Sequence, residues 1–287
     1  MNICALTMAH KDHWALSQWY RHYSRQLGAE NLYVVSHGAD PQVQEICPGV
    51  SVLTIPRDRL QGFDHWRGRM LNSFQQGLLE LYDWVIRTDA DELICVDPGR
   101  WGSLGQMMRA QEAPALFALG FNMFDFPPTD PVARGQSVFA RRRDAVFTGH
   151  YSKAWAVRRP IGLRRHGLQL RPGRLAEFPF VMPRGVYLAH LKFADATALA
   201  EMTTVRHEVG NSKGPGTPGK AWQQASTEAK GKVADARAMP LLNWEAAEEQ
   251  AWTELQSPVR DSATSVLRSK SLRFGHRTQL PDWFASL

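Results

Sequence analysis

The first hundred residues alternate between apolar runs and amphipathic stretches. Residues 3–8, Ile-Cys-Ala-Leu-Thr-Met, are almost continuously apolar, as expected of a strand buried on both faces. After the polar patch His10-Lys11-Asp12, residues 13–27 carry Trp14, Leu16, Trp19, Tyr20, Tyr23 and Leu27 at helical spacing. Asp12 stands where a helix cap is expected and Gly28 where a helix ends. Residues 31–35 and 51–55 read as two further strands, the second closed by Pro56. A long helix is predicted over 64–81 and a fourth strand over 83–88. This alternation predicts a parallel sheet with right-handed crossovers. Later, single strands are expected at 115–121, 146–157 and 186–189, and helices at 195–209, 221–238 and 244–255. From 257 onward no period stands out. The expected fold is α/β, a mainly parallel Rossmann-like sheet flanked by helices, with a mostly helical C-terminal extension. The expected division is a nucleotide-sugar-binding and catalytic domain over 1–200 and an extension over 201–287. Residues 210–219, with four glycines and two prolines, read as a loop suited to close over a ligand.

Composition agrees with a globular chain: 287 residues, 44% hydrophobic and 22% charged. Cys4, Cys47 and Cys95 lack metal-ligand spacing, and Cys4 and Cys95 fall in predicted strands as small buried hydrophobes. A reducing, cytoplasmic setting is the expectation. The first residues read as a strand and not a signal peptide, and no apolar run approaches a membrane-spanning length. The net charge of +6 is uneven. Between Arg134 and Arg174 eleven Lys and Arg oppose one acid, Asp144, a local +10 that leaves about −4 elsewhere. Arg141, Arg142 and Arg143 are its sharpest cluster. Such a segment suits an anionic glycan, a lipid phosphate or the inner membrane surface, approached peripherally. No nucleic-acid-binding signature accompanies it.

The densest chemistry is Asp89-Ala90-Asp91-Glu92, directly after the apolar Trp84-Val85-Ile86. Side chains two apart on an extended chain point the same way, so Asp89 and Asp91 can converge. Two anions placed together call for a cation, and oxygen ligands suit Mg²⁺ or Mn²⁺. Such ions keep positions open for phosphate oxygens. The carboxyl end of a parallel sheet is where open α/β folds bind ligands. The plain alternative for such a triplet is a solvated turn or a helix cap.

Several stretches together carry a resemblance. They are Arg21-His22-Tyr23, then Gly28-Ala29-Glu30-Asn31-Leu32-Tyr33-Val34-Val35, then Tyr82-Asp83-Trp84 running into Asp-Ala-Asp-Glu. The first hundred residues resemble glycosyltransferase family 2 and its bacterial relatives of the GT-A fold, and residues 150–192 do so more loosely. The resemblance implies a nucleoside diphosphate sugar donor, with a UDP-sugar expected, and a glycan or lipid-linked acceptor. It implies a metal held by Asp89 and Asp91, with His190 as third ligand and Asp91 catalytic through that metal. Asp12, Ser36 and His37 would line the nucleoside, Arg67 and Arg69 would reach base or phosphates, and Lys153 and Lys192 would meet the diphosphate. Two positions depart from the pattern. Ser36-His37 stands where family members carry an acid that reads uracil, with Asp40 only later as a turn or cap residue. His10-Lys11-Asp12 replaces a more usual Asn-Glu pair, and Asp12 also suits capping.

An inverting transfer needs a base for the acceptor hydroxyl. Asp125 is the expected one; Asp130 reads as a turn residue and Asp144 as a partner of Arg143. His150 and His166 are weaker candidates for the site. Phe124, Phe126 and Trp155 suit either a sugar face or the core. Three functions follow: a metal-dependent glycosyltransferase of hexosyltransferase type in polysaccharide biosynthesis, an inactive glycan- or nucleotide-binding module, and a sugar-phosphate nucleotidyltransferase. The last expects glycine in the first loop, and residues 7–14 contain none.

Overall fold

In a computed structural model of the chain, residues 1–126, 130–164, 166–212 and 220–287 are described. β1 (Ile3–Ala9) leads into α1 (His13–Leu27), then β2 (Leu32–His37), α2 (Pro41–Ile46), β3 (Ser51–Ile55), α3 (Phe63–Leu78) and β4 (Trp84–Arg87). A turn joins β4 to β5 (Glu92–Val96), followed by α4 (Leu104–Arg109), β6 (Ala115–Phe117), β7 (Leu119–Phe124), β8 (Asp144–Phe147) and β9 (Ala154–Val157). β10 (Gly162–Arg164), β11 (Gly167–Gln169) and β12 (Val186–Phe193) come next, then α5 (Ala196–Gly210), α6 (Lys220–Gln223), α7 (Ala225–Ala238) and α8 (Trp244–Leu255). The chain closes with β13 (Val259–Asp261), β14 (Val266–Arg268) and β15 (Thr278–Gln279).

A six-stranded sheet has the order β3-β2-β1-β4-β9-β6, and its first four strands are parallel. β9 closes it antiparallel to both β4 and β6. All seven residues of β1 are buried, as a strand covered on both faces requires. Leu16, Trp19 and Tyr23 of α1 lie on one stripe and are fully buried against the sheet. Their polar tips also fix the next strands: Trp19 Nε1 donates to Thr88 Oγ1 at 3.0 Å, and Tyr23 Oη accepts from the Ile94 amide at 3.1 Å. A mixed five-stranded sheet, β15-β8-β7-β12-β5, and a four-stranded antiparallel sheet, β10-β11-β14-β13, complete the molecule. The chain is therefore α/β, with a parallel core flanked by helices.

The second half differs from its expected elements. The single strand expected at 115–121 is two strands, β6 and β7, in different sheets, and the one expected at 146–157 is β8 and β9, likewise split. Apolar content alone carries no mark of a change of sheet. Gly120 makes one crossing possible, since a Cβ there would lie 2.1 Å from the Tyr151 carbonyl carbon. β12 runs to Phe193, so His190 and Lys192 sit inside a strand and not in a loop after it. The boundary expected at 200 falls within α5, and the tail is not helical throughout: β14 pairs with β11 and β15 with β8. The loop expected to close over a ligand lies, from residue 213 to 219, outside the described residues.

Candidate active site

The carboxyl ends of β1, β2 and β4 open into a cavity of about 880 Å³. Residues 89–92 form a tight turn at its base: the Glu92 amide donates to the Asp89 carbonyl at 3.0 Å, and the Asp89 amide donates to Glu92 Oε2 at 3.2 Å. The carboxylates thus converge through a turn, and not along an extended strand as the spacing suggested. Ligand-type oxygens of Asp89, Asp91 and Glu92 lie within 4.8 Å of one another.

Each carboxylate has its own counter-charges. Asp89 forms a close ion pair with Arg67 and stands 4.0 Å from Lys153 Nζ. Burial opposes its ionisation, but Arg67 and Lys153 outweigh burial and hold the carboxyl well below its usual range. Asp91 faces His190 Nε2 at 3.3 Å and Arg206 Nη2 at 3.8 Å. Against burial, chiefly His190 lowers its pKa as well. Glu92 is 1% exposed and pairs with Lys153 at 2.7 Å. Burial there wins over Lys153 and pushes the carboxyl up. Asp12 also lines the cavity. It occupies the cap position of α1 without a side-chain capping bond, and burial together with Asp91 pushes it up to about 7. The oxygen-only set, with Asp89 and Asp91 opening to the cavity and Glu92 behind them, fits a hard divalent cation.

Arg67, Lys153 and His190 stand around this turn, and His37 and Lys192 line the same cavity. His190 is set against Asp91, outside the carboxylate group, and its Nδ1 is hydrogen-bonded to Asn122 Oδ1 at 2.7 Å. Tyr151 stacks on it with centroids 3.6 Å apart and planes at 18°. His150 and His166 both line the cavity with centroids 3.7 Å apart. His37 stacks on Phe63 at 5.7 Å and accepts from Arg57 Nη1 at Nδ1, 3.0 Å away, while its buried Nε2 has no partner.

Other expectations are corrected. Ser36 is buried and its hydroxyl donates to the Gly38 carbonyl, so it serves its own turn. Arg69 is exposed and outside the cavity lining, because two residues along a helix from Arg67 turns a side chain to another face. Asp125 is buried against Arg142, Oδ1 to Nε at 3.1 Å, and does not line the cavity; a strut and not a base is what this geometry describes. Asp144 pairs with Arg277 at 2.9 Å, not with Arg143. Asp40, as expected, is a cap residue, that of α2, and it also pairs with His13 at 2.7 Å. The basic triplet is not a surface cluster. Arg142 is 3% exposed, Arg143 ties Leu280 and Asp282, and only Arg141 is exposed. Trp155 is core, whereas Phe124 lines the cavity and stacks on Phe193 at 5.2 Å.

Sequence reading left Glu92, Asn122, Arg57, Phe63 and Arg206 without roles. Glu92 had a local signal, an acid opening the apolar run Glu-Leu-Ile-Cys-Val. Arg206 had none, since one arginine on a predicted helix looks solvated.

No protein-family model matches the chain, and no curated protein matches it. Solved structures similar to it include CMP:2-keto-3-deoxy-manno-octonic acid synthetase complexed with CTP, 13% identical over 83% of this chain and 87% of that one, with a TM-score of 0.30. Mannose-1-phosphate geranyltransferase from Thermus thermophilus is 13% identical over 98% and 74%, with a TM-score of 0.30. TarS from S. aureus is 9% identical over 82% and 43%, with a TM-score of 0.37. This chain's own strand order defines its fold, and its own cavity carries its chemistry.

Proposed function

We propose that the protein is a metal-dependent glycosyltransferase that moves a sugar from a nucleoside diphosphate donor to a glycan or lipid-linked acceptor. The convergence of Asp89, Asp91 and Glu92 at the base of the cavity carries this reading. The resemblance of the first hundred residues to family 2 glycosyltransferases points the same way. Asp89 and Asp91 would hold Mn²⁺ or Mg²⁺, with His190 Nε2 beside Asp91. When bound, the ion would act as a Lewis acid, neutralising charge on the leaving diphosphate. Arg67 and Lys153 keep Asp89 ionised, and Glu92 holds the turn through the Asp89 amide. His37, Phe63 and Arg57 form an aromatic and cationic wall suited to a nucleoside, with Asp64 in the lining beside it. UDP is the first nucleotide to test.

Calorimetry of UDP with and without Mn²⁺ tests the reading. The parent should bind only with the ion, and Asp91→Ala should lose that binding while keeping its circular dichroism. Equal binding by the two proteins would sink the proposal. Mn²⁺-stimulated donor hydrolysis by the parent separates an enzyme from an inactive binding module.

A further inference from the structure

The end of the cavity formed by β12, α5 and α7 gathers four basic side chains. Lys192 of β12, Arg206 of α5, Lys232 of α7 and Arg273 all line it. Asp91, Glu228 and Asp235 oppose them, and Asp12 lies beside Asp91 and Arg206. Lys232 pairs with Glu228 at 2.6 Å. Lys192 and Arg273 have no ion-pair partner among the described residues. Arg206 is 7% exposed, yet its Nη1 has no hydrogen-bond partner, and its Nη2 reaches Asp91 only at 3.8 Å. A buried guanidinium nitrogen without an acceptor costs free energy that a bound anion would recover. Glu228, Lys232 and Asp235 recur at helical spacing, so one face of α7 is turned to this end.

We infer that the acceptor carries a phosphate monoester, seated against Lys192, Arg206, Lys232 and Arg273. A tetrahedral phosphate offers three outward oxygens and suits donors arriving from different elements, whereas a carboxylate offers two in one plane. The inference deepens the glycosyltransferase reading and rests on it for the word acceptor; the anion pocket itself does not. The same chemistry occurs on a soluble sugar phosphate and on a lipid phosphate.

Calorimetric titrations with and without saturating UDP and Mn²⁺ distinguish the two. The probes are glucose 1-phosphate, dihexanoyl phosphatidic acid below its micelle concentration, and glucose as neutral control. One or both esters should bind, glucose should not, and the ester that binds names the source. The double variant Lys232→Ala/Arg273→Ala alters exposed or half-exposed side chains away from the carboxylate turn. It should bind the ester about tenfold or more weakly, the scale of one charge-assisted hydrogen bond, with UDP binding unchanged. Parent-like ester affinity in that variant, or no ester binding by the parent, overturns the inference. A protein that takes UDP but no ester loses this pocket alone; one that takes an ester but no UDP loses the donor reading and keeps the pocket.

Discussion

The six-stranded sheet builds its side of the cavity mostly from neighbours in sequence, whereas the five-stranded sheet gathers strands from Glu92 to Gln279. In the first sheet a residue reaches the site because it follows a parallel strand: His10 after β1, His37 at the end of β2, Asp89 after β4. In the second sheet register decides. His190 is paired with Glu92 on one side and Asn122 on the other, so three residues far apart in sequence meet in one row. A slip of one residue there would turn each side chain to the opposite face. The carboxylate turn is the joint, since β4 belongs to one sheet and β5 to the other. A site at such a joint depends on the two sheets holding their relative position.

Breaking the second sheet's internal strut should have the largest effect. Asp125 and Arg142 are both 3% exposed at the side chain and bind where β7 and β8 meet their loops. Asp125→Ala leaves a buried guanidinium uncompensated and should cost about 3–5 kcal/mol. Urea unfolding measures it, and UDP binding by the folded fraction should persist. A loss of binding with stability unchanged would restore Asp125 as a site residue.

The contact between the sheets is next. His22 of α1 donates from Nε2 to the Ile94 carbonyl of β5 at 2.8 Å. Burial lowers its pKa to about 4 from 6.5, so the folded protein favours the neutral ring. Its contribution is complete above pH 6.5 and is lost as the pH falls towards 4. The difference is roughly 3 kcal/mol at most. His22→Gln should flatten that part of the stability curve. A variant as acid-sensitive as the parent over pH 6.5 to 4 would show that His22 is not the group that titrates.

The smallest effect should come from the second sheet's hand in the site. Asn122→Ala removes the hydrogen bond to His190 Nδ1 and leaves the first sheet untouched. UDP binding in Mn²⁺ should weaken about tenfold, because Asn122 orients the His190 ring that contacts Asp91, a proposed metal ligand. Parent-like affinity would mean that the stacked Tyr151 ring holds His190 by itself.

How much was legible follows the same division. The strands 3–8, 31–35, 51–55 and 83–88 and the helix 13–27 stand within a residue or two of their places, because each is set by a local apolar period and by breakers such as Gly28. The acid turn was visible because two carboxylates after a buried strand are costly without a partner. Arg69 and Arg142 misled because sequence gives an arginine's charge but not its direction. Arg67 and Arg69 are two apart on one helix, and only Arg67 reaches Asp89. The sequence by itself determined the parallel half and the acidic character of its carboxylate turn. The resemblance had placed His190 near that turn, and tertiary structure alone decided that Asn122 and Arg206 join it there. Their positions come from cross-strand register and helix packing between segments far apart in the chain, which no local pattern encodes.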